Sequence, residues 1–365
     1  MSDKVLQIIP SPPNCTDGVA DYALLLATQM LKDYQIKTRF LVFRIDLEVE
    51  STIISGFPLM GLPDHQPQSL YSSVPEDIGV IILHFSAYPY FNTSLRGVFG
   101  KGTPFWFADA LQSLVQARQI KLIIMFHELP KLHWKQFFFF NFLNPIHSNV
   151  SRRLARIADT IITNSTYQRA MLSKWSGRNV NKVLTFSNMG EPDIIPLLAE
   201  RQCRLIVFGG SARTRIYQKH FPALLESCQL LGITEIYDIG PPVEIPEYND
   251  AKIKLVKMGF LAQTEISKLL LTSFAGCLDY FRCPGGLGKS GVFSAYCAHG
   301  LVPILTEYDA SEADDIYVNK NYLVLDSKLG SLSAAQLQAV ADKAHQWYQG
   351  HALPKIAAIF CSSIS

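Results

Sequence analysis

Leu205-Ile206-Val207-Phe208-Gly209-Gly210-Ser211-Ala212-Arg213-Thr214-Arg215 is the stretch on which the fold turns. Four consecutive apolar residues fit a strand buried on both faces, the habit of parallel sheets. A Gly-Gly-Ser turn follows, and then a helical pattern predicted to run through Leu230. Strand, tight turn and helix in that order make half of a crossover connection. Further along, residues 236–239, 253–256, 274–280 and 301–305 read as strands. Residues 264–271 read as a helix begun by a Thr264 cap with Glu265 in its first turn. Residues 291–299 and 333–349 are predicted helices, the second amphipathic. Upstream, 5–9, 38–43, 80–85, 122–126 and 160–163 are predicted strands, and 20–31 is a helix. Two such series meet at Asn188-Met189-Gly190-Glu191-Pro192, whose Gly and Pro suit a linker.

The expected fold class is therefore α/β, with two Rossmann-like domains facing a central cleft. Residues 1–190 would form the first domain and 203–345 the second, with 346–365 packing back on the first. Ligands of such sheets sit outside the carboxyl ends of the strands.

Composition removes other classes. The chain has 365 residues, 48% hydrophobic and 18% charged, which excludes a disordered polymer. With 33 Lys+Arg against 31 Asp+Glu, the net charge of +2 gives no strong field for nucleic acid, and no nucleic-acid partner is expected. No apolar run reaches the ~18–20 residues that cross a bilayer, and the start lacks a secretory leader, so a cytoplasmic protein is expected. The seven cysteines contain no CxxC pair, so neither a disulfide framework nor a structural zinc site is expected.

Chemistry is sought in the loops that follow strands. Gly285-Gly286-Leu287-Gly288-Lys289-Ser290-Gly291, preceded by Cys283-Pro284, follows a strand and opens a helix. Gly286, Gly288 and Gly291 permit close backbone approach, the helix start offers free N–H groups, and Lys289 adds a full charge where a phosphate would sit. A tight turn with an exposed lysine would look the same. Gly288-Lys289-Ser290 also matches the end of a P-loop, with Cys283 where that motif has glycine and with 323–326 as an acidic strand. Too little chain follows for a complete NTPase core. In the opening stretch, Gly210, Arg213 and Lys219 suit a diphosphate, with a solvated basic helix start as the plain alternative. His127, followed by Glu128, ends an apolar strand, where an imidazole can meet a sugar or phosphate and Glu128 can orient it. His84 ends another strand in the same way. Gly18 follows the first strand and opens a helix, as an acceptor or phosphate loop would and as a simple helix entry also would. Residues 131–143 interleave Lys131, Trp134 and Lys135 with Phe137–140, which fits peripheral contact with the inner face of a membrane as well as a core helix.

These pieces together resemble the large fourth, retaining family of glycosyltransferases of the GT-B fold, over most of the chain. Gly18-Val19 is similar to that family's glycine loop, and His127-Glu128 to its strand-end His motif. Ile161-Ile162-Thr163-Asn164-Ser165 resembles the segment closing its first domain. Residues 209–219 resemble its Gly-Arg…Lys stretch, and Cys297-Ala298-His299-Gly300-Leu301-Val302-Pro303 its Ala-Cys-Gly-x-Pro segment. The resemblance implies a nucleotide-diphosphate sugar on the second domain and a carbohydrate, lipid-linked or small-molecule acceptor on the first. It implies retention of configuration, with no metal and no resident cofactor. Arg213 and Lys219 would hold the diphosphate and His127 would touch the donor sugar. The family's two glutamates, with seven residues between them, fall here near Gly286 or Leu287 and near Ser294 or Ala295, none of them acidic. Lys289 and Ser290 would grip the diphosphate instead, and Ser294 the ribose. A binding protein of the same fold without turnover remains the alternative, and a P-loop phosphohydrolase the third.

Overall fold

The computed structural model describes residues 4–13, 18–43, 52–87, 90, 105–130, 144–248, 252–280 and 285–364; side chains 144–147 and 327 are left aside. Cys283, Pro284 and the whole of 131–143, which carry readings above, lie outside the described residues. The chain divides into two compact units, Met1–Val183 with Pro354–Ser365, and Leu184–Leu353.

In the first unit the order is β1 (Val5–Ile9), α1 (Gly18–Tyr34), β2 (Thr38–Val42), β3 (Thr52–Ile54), β4 (Phe57–Gly61), α2 (Pro67–Ser73), β5 (Val80–Ser86), α3 (Phe105–Arg118), β6 (Lys121–Glu128), α4 (Asn144–Ile157), β7 (Thr160–Thr163), α5 (Thr166–Ser176) and β8 (Asn181–Lys182). The sheet order is β3-β4-β2-β1-β5-β6-β7-β8. Every pairing is parallel except β3 with β4, a hairpin at the edge. Apolar burial dictates this arrangement: all seven residues of β5 and all five of β1 are buried. Strand alternation sends Leu6 and Ile8 to one core and Ile9 to the other. Ala20, Ala23, Leu26, Ala27 and Met30 recur at helical spacing along α1 and bury its sheet-facing side.

In the second unit come β9 (Gln202–Phe208), α6 (Arg213–Lys219), α7 (Phe221–Leu230), β10 (Glu235–Ile239), β11 (Lys254–Gly259), α8 (Gln263–Thr272), β12 (Ser273–Leu278), α9 (Gly291–Ala298), β13 (Val302–Leu305), β14 (Leu323–Val324) and α10 (Ala334–Gln349). Six parallel strands lie in the order β11-β10-β9-β12-β13-β14. Leu205 and Val207 enter one core, Ile206 and Phe208 the other. Gly276 in β12 lies under the Tyr296 ring, where a Cβ would fall 2.5 Å from Cε1. The last helix, α11 (Leu353–Ile364), lies almost wholly within the first unit and buries Ile356, Ala357, Phe360, Cys361 and Ile364.

Two local expectations are corrected. The single helix predicted through Leu230 is two, α6 and α7, broken at His220 ahead of Pro222; proline lacks the N–H that would continue α6. Thr264 does not cap α8. The helix begins one residue earlier, at Gln263, with Ala262 at its N-cap position, and the Ala262 amide donates to Glu265 Oε2 at 3.1 Å.

Candidate functional site

Polar side chains gather in the middle of the first sheet, inside an otherwise apolar core. Gln7 of β1 and His84 of β5 are fully buried, and His127 of β6 is 6% exposed. They form one chain. Gln7 Oε1 lies 2.8 Å from His84 Nε2, and His84 Nδ1 lies 3.1 Å from His127 Nε2. With the amide oxygen toward His84, the Nε2–H of His84 donates to Gln7. Its Nδ1 then accepts from His127 Nε2–H, which fixes both tautomers. Burial holds His84 down at about 3, so this link is neutral near neutrality. Tyr22 of α1 meets both imidazoles edge-on, with centroids 5.0 Å from His127 and 5.9 Å from His84. Phe360 of α11 stacks on His84 at 6.5 Å. Gln168 Nε2 donates to the His127 carbonyl at 3.4 Å, and Thr163 Oγ1 donates within its reach at 2.9 Å from Gln168 Oε1. Glu128, the next residue, is exposed, and its carbonyl accepts from Ala87 N. Gly18 is the exposed first residue of α1, and a Cβ there would meet nothing within 4 Å. Sequence reading named His84 only as a second strand end; its hydrogen bond to His127 depends on β5 and β6 being neighbours.

In the second unit three loops converge at the carboxyl ends of the adjacent strands β9, β12 and β13. Gly209 has φ +124° and lies against α9, where a Cβ would be 3.2 Å from Val292 Cγ2. The Gly285–Gly288 turn is tied down by the loop after β13. Gly285 N donates to Asp309 Oδ2 at 3.2 Å, and Leu287 N donates to Ser311 Oγ at 3.0 Å, while Ser311 donates to Asp309. Burial pushes the Asp309 carboxyl up, against the pull of those donors. Ser290 caps α9 by accepting from Phe293 N at 3.2 Å, leaving the Gly291 and Val292 amides without a partner among the described residues. Lys289 is half-buried just before this helix start.

Several expected roles change here. Arg213 is 2% exposed; its guanidinium is ion-paired with Asp238 and donates to Gly209 O and Pro241 O. It fastens the turn from within and has no face left for a diphosphate. Arg215, two residues on, takes the outward position, with Nε 2.7 Å from Asp279 Oδ2 and Nη2 3.4 Å from Glu307 Oε1. Lys219 is exposed at the end of α6, and Gly210 is open, with nothing within 4 Å of a would-be Cβ. Gly288 is closed: a Cβ would fall 2.9 Å from Leu184 and 3.0 Å from Asp314, and its carbonyl accepts from Thr185 N. A P-loop needs that glycine open to phosphate, so the P-loop reading fails on geometry. Ser290 is spent as a cap. Ser294 is fully buried and donates to Thr185 O at 2.6 Å, so it is not a ribose contact.

Among the described residues no group of three or more His, Cys, Asp or Glu side chains is arranged to hold a metal ion, and no helix is long and apolar enough to cross a membrane.

No family model and no curated protein sequence matches the chain. Solved structures do. Sucrose-phosphate synthase from Thermosynechococcus elongatus superposes with TM-score 0.64 at 11% identity, covering 99% of this chain and 98% of the other. Anabaena Alr3699/HepE, solved with UDP and glucose, gives 0.62 at 11% identity over 99% of both chains. An alpha-glucosyltransferase, solved with UDP and a 13-mer DNA, gives 0.61 at 9% identity over 100% and 99%. Two parallel-sheet units joined in this chain order, together with these superpositions, establish that the fold of this chain is that of the GT-B glycosyltransferases.

Proposed function

We propose that the chain is a glycosyltransferase that binds a nucleoside-diphosphate sugar on its second unit and passes the sugar to an acceptor bound by the first, with His127 of the first unit meeting the donor sugar. The observation that carries this is the anion cradle at the carboxyl edge of the second sheet. There the uncapped Gly291 and Val292 amides abut the Gly209 turn, with Lys289 before them and Arg215 on the neighbouring helix. Backbone N–H groups and two cations together fit a diphosphate leaving group. They would stabilise the charge that develops on it as the glycosidic bond breaks, the task a divalent cation performs in other transferases. Metal independence and retention of configuration belong to this reading; the neighbours solved with UDP favour that nucleotide. His127, with its tautomer set through His84, would place a hydrogen bond on the sugar. The acceptor is a carbohydrate, a lipid-linked glycan or a small molecule.

A second reading has its own observation. The positions matching the family's glutamates, Gly286 or Leu287 and Ser294 or Ala295, are all buried and none is acidic, which fits a protein that binds the nucleotide without turning it over.

A thermal-shift screen of UDP, GDP, ADP, CDP and TDP, each with and without magnesium, tests the proposal. A nucleotide at ~100 times its dissociation constant adds about 2.7 kcal/mol of stability. Arg215→Ala and Lys289→Ala are expected to weaken that shift, and His127→Ala to leave it intact while lowering hydrolysis or transfer of the sugar. An intact shift with no turnover on any nucleotide sugar selects the second reading, and no shift from any nucleotide overturns both. The anomeric proton of the product, read by NMR, decides between retention and inversion.

A further inference from the structure

Charge in the first unit is unevenly placed. Residues 144–182 carry seven Lys and Arg side chains and one Asp, in a chain whose net charge is +2. Four of these cations lie on α4, on α5 and just after it, two of them in contact with Trp175. The Arg152 guanidinium lies over the indole, 5.2 Å from its centroid. Arg156 Nε donates to the Trp175 carbonyl at 3.3 Å. Arg178 donates to the Ala158 carbonyl at the end of α4, and Lys174 precedes Trp175. All four are exposed. None is ion-paired among the described residues; Arg153 is the one arginine of α4 matched by an acid, Asp109. Asp159, the single acid of the stretch, has Oδ2 committed to the Leu122 amide at 2.7 Å. The guanidinium groups are thus held in place by backbone carbonyls and an aromatic ring, none of which neutralises them.

We propose that this α4–α5 face docks on an anionic lipid bilayer, its arginines and lysine meeting headgroup phosphates. Two observations choose lipid over nucleic acid. The molecule as a whole is nearly neutral, with a pI of about 8.1, which gives a polyanion no extended basic track. The basic cluster is also built around the half-buried indole of Trp175 on α5, with the Arg152 guanidinium over its ring, and such a cationic and aromatic mixture lies at a membrane interface. The site itself is α4 and α5, and it stands whether or not the second unit takes a nucleotide.

The test is flotation of the full chain with phosphatidylcholine vesicles, pure or containing phosphatidylglycerol. Binding is expected only to the anionic vesicles and is expected to fall with salt. Each cation near such a surface contributes about fivefold in partition, so Arg152→Gln with Lys174→Gln should lower it about 25-fold. The same charge change in the other unit, Lys254→Gln with Lys257→Gln, should leave it unaltered. Arg156→Lys keeps the charge while giving up the guanidinium bond to Trp175 O, and should keep binding; unchanged melting temperatures certify that the variants are folded. No partition onto anionic vesicles, equal binding to pure phosphatidylcholine, or equal loss in the Lys254/Lys257 variant each overturns the proposal. A DNA duplex that binds more tightly than vesicles at equal phosphate, and is lost in the same variants, replaces it with nucleic acid.

Discussion

Arg213 and Arg215 stand two apart on α6 and do opposite work. Residues i and i+2 lie about 200° apart around a helix, so one must turn inward when the other turns out. Sequence names both and cannot say which; the partners decide, since Asp238 lies within reach of Arg213, while Asp279 and Glu307 take Arg215. Removing Arg213 strands Asp238, 4% exposed, without its cation. Arg213→Met is therefore expected to cost about 3–5 kcal/mol in urea unfolding. Arg215→Ala also leaves a buried acid, Asp279 (8% exposed), without its cation and is expected to cost stability too. Of the two variants, though, it alone should weaken the nucleotide-induced thermal shift measured from its own baseline; loss of the shift in the Arg213 variant with its retention in the Arg215 variant would sink the assignment. Two histidines set the acid limb. Burial holds His84 at about 3 and His299 at about 4, below the ordinary 6.5. His299 Nδ1 donates to Ala295 O at 2.8 Å, and its Nε2 accepts from Ser267 Oγ at 2.8 Å, so it too is held neutral. Unfolding lets each take a proton below pH ~6.5. Their stabilisation is therefore complete above that pH and is lost as pH falls toward 4, by about 1.4 kcal/mol per unit for each. Unfolding measured between pH 7 and 5 should show this slope, and His299→Asn should remove one histidine's share of it.

At the scale of elements, apolar runs reveal strands and little else. β1, β5, β6 and β9 are legible because each is buried on both faces and so reads as an unbroken hydrophobic stretch. The β3–β4 hairpin is not, because its edge position leaves Thr52 and Ile53 exposed and its pattern weak. The site is legible in the same measure: His127 shows because it ends such a run. The Gln7–His84–His127 chain stays hidden, because sheet order, not sequence distance, puts β1, β5 and β6 side by side. Glycines mislead in the other direction. Gly286, Gly288 and Gly291 read as a phosphate loop, yet Gly288 is required by close packing against Leu184 and Asp314. Gly276 carries no such sequence signal and lies tight against the Tyr296 ring. Gly276→Ala would drive a methyl into the Tyr296 ring, whose hydroxyl lies 3.0 Å from the carbonyls of both Ile206 and Cys277. Overpacking of this kind costs about 1–3 kcal/mol. A variant as stable as the parent in urea would show that β12 and α9 can separate at little cost.

At the scale of the molecule, the chain finishes the first unit with its last helix. α11 covers the His84 side of the first sheet through Phe360, and Lys121 Nζ donates to the Ile364 carbonyl at 3.3 Å. Ile356, Phe360 and Ile364 are each at most 5% exposed. Burying three such side chains is worth on the order of 5 kcal/mol, a large part of the 5–15 kcal/mol that holds a typical domain together. A chain ended after Gln349 should therefore have a destabilised first unit, while the second, with its own two cores and its whole sheet, stays intact. Differential scanning calorimetry should then resolve two transitions, the lower one shifted down by ~10 °C or more. UDP, bound by the cradle at α9, should raise only the upper transition. A single cooperative transition lowered as a whole would mean that the two units fold as one body. A nucleotide shift on the lower transition would place the anion cradle in the wrong unit.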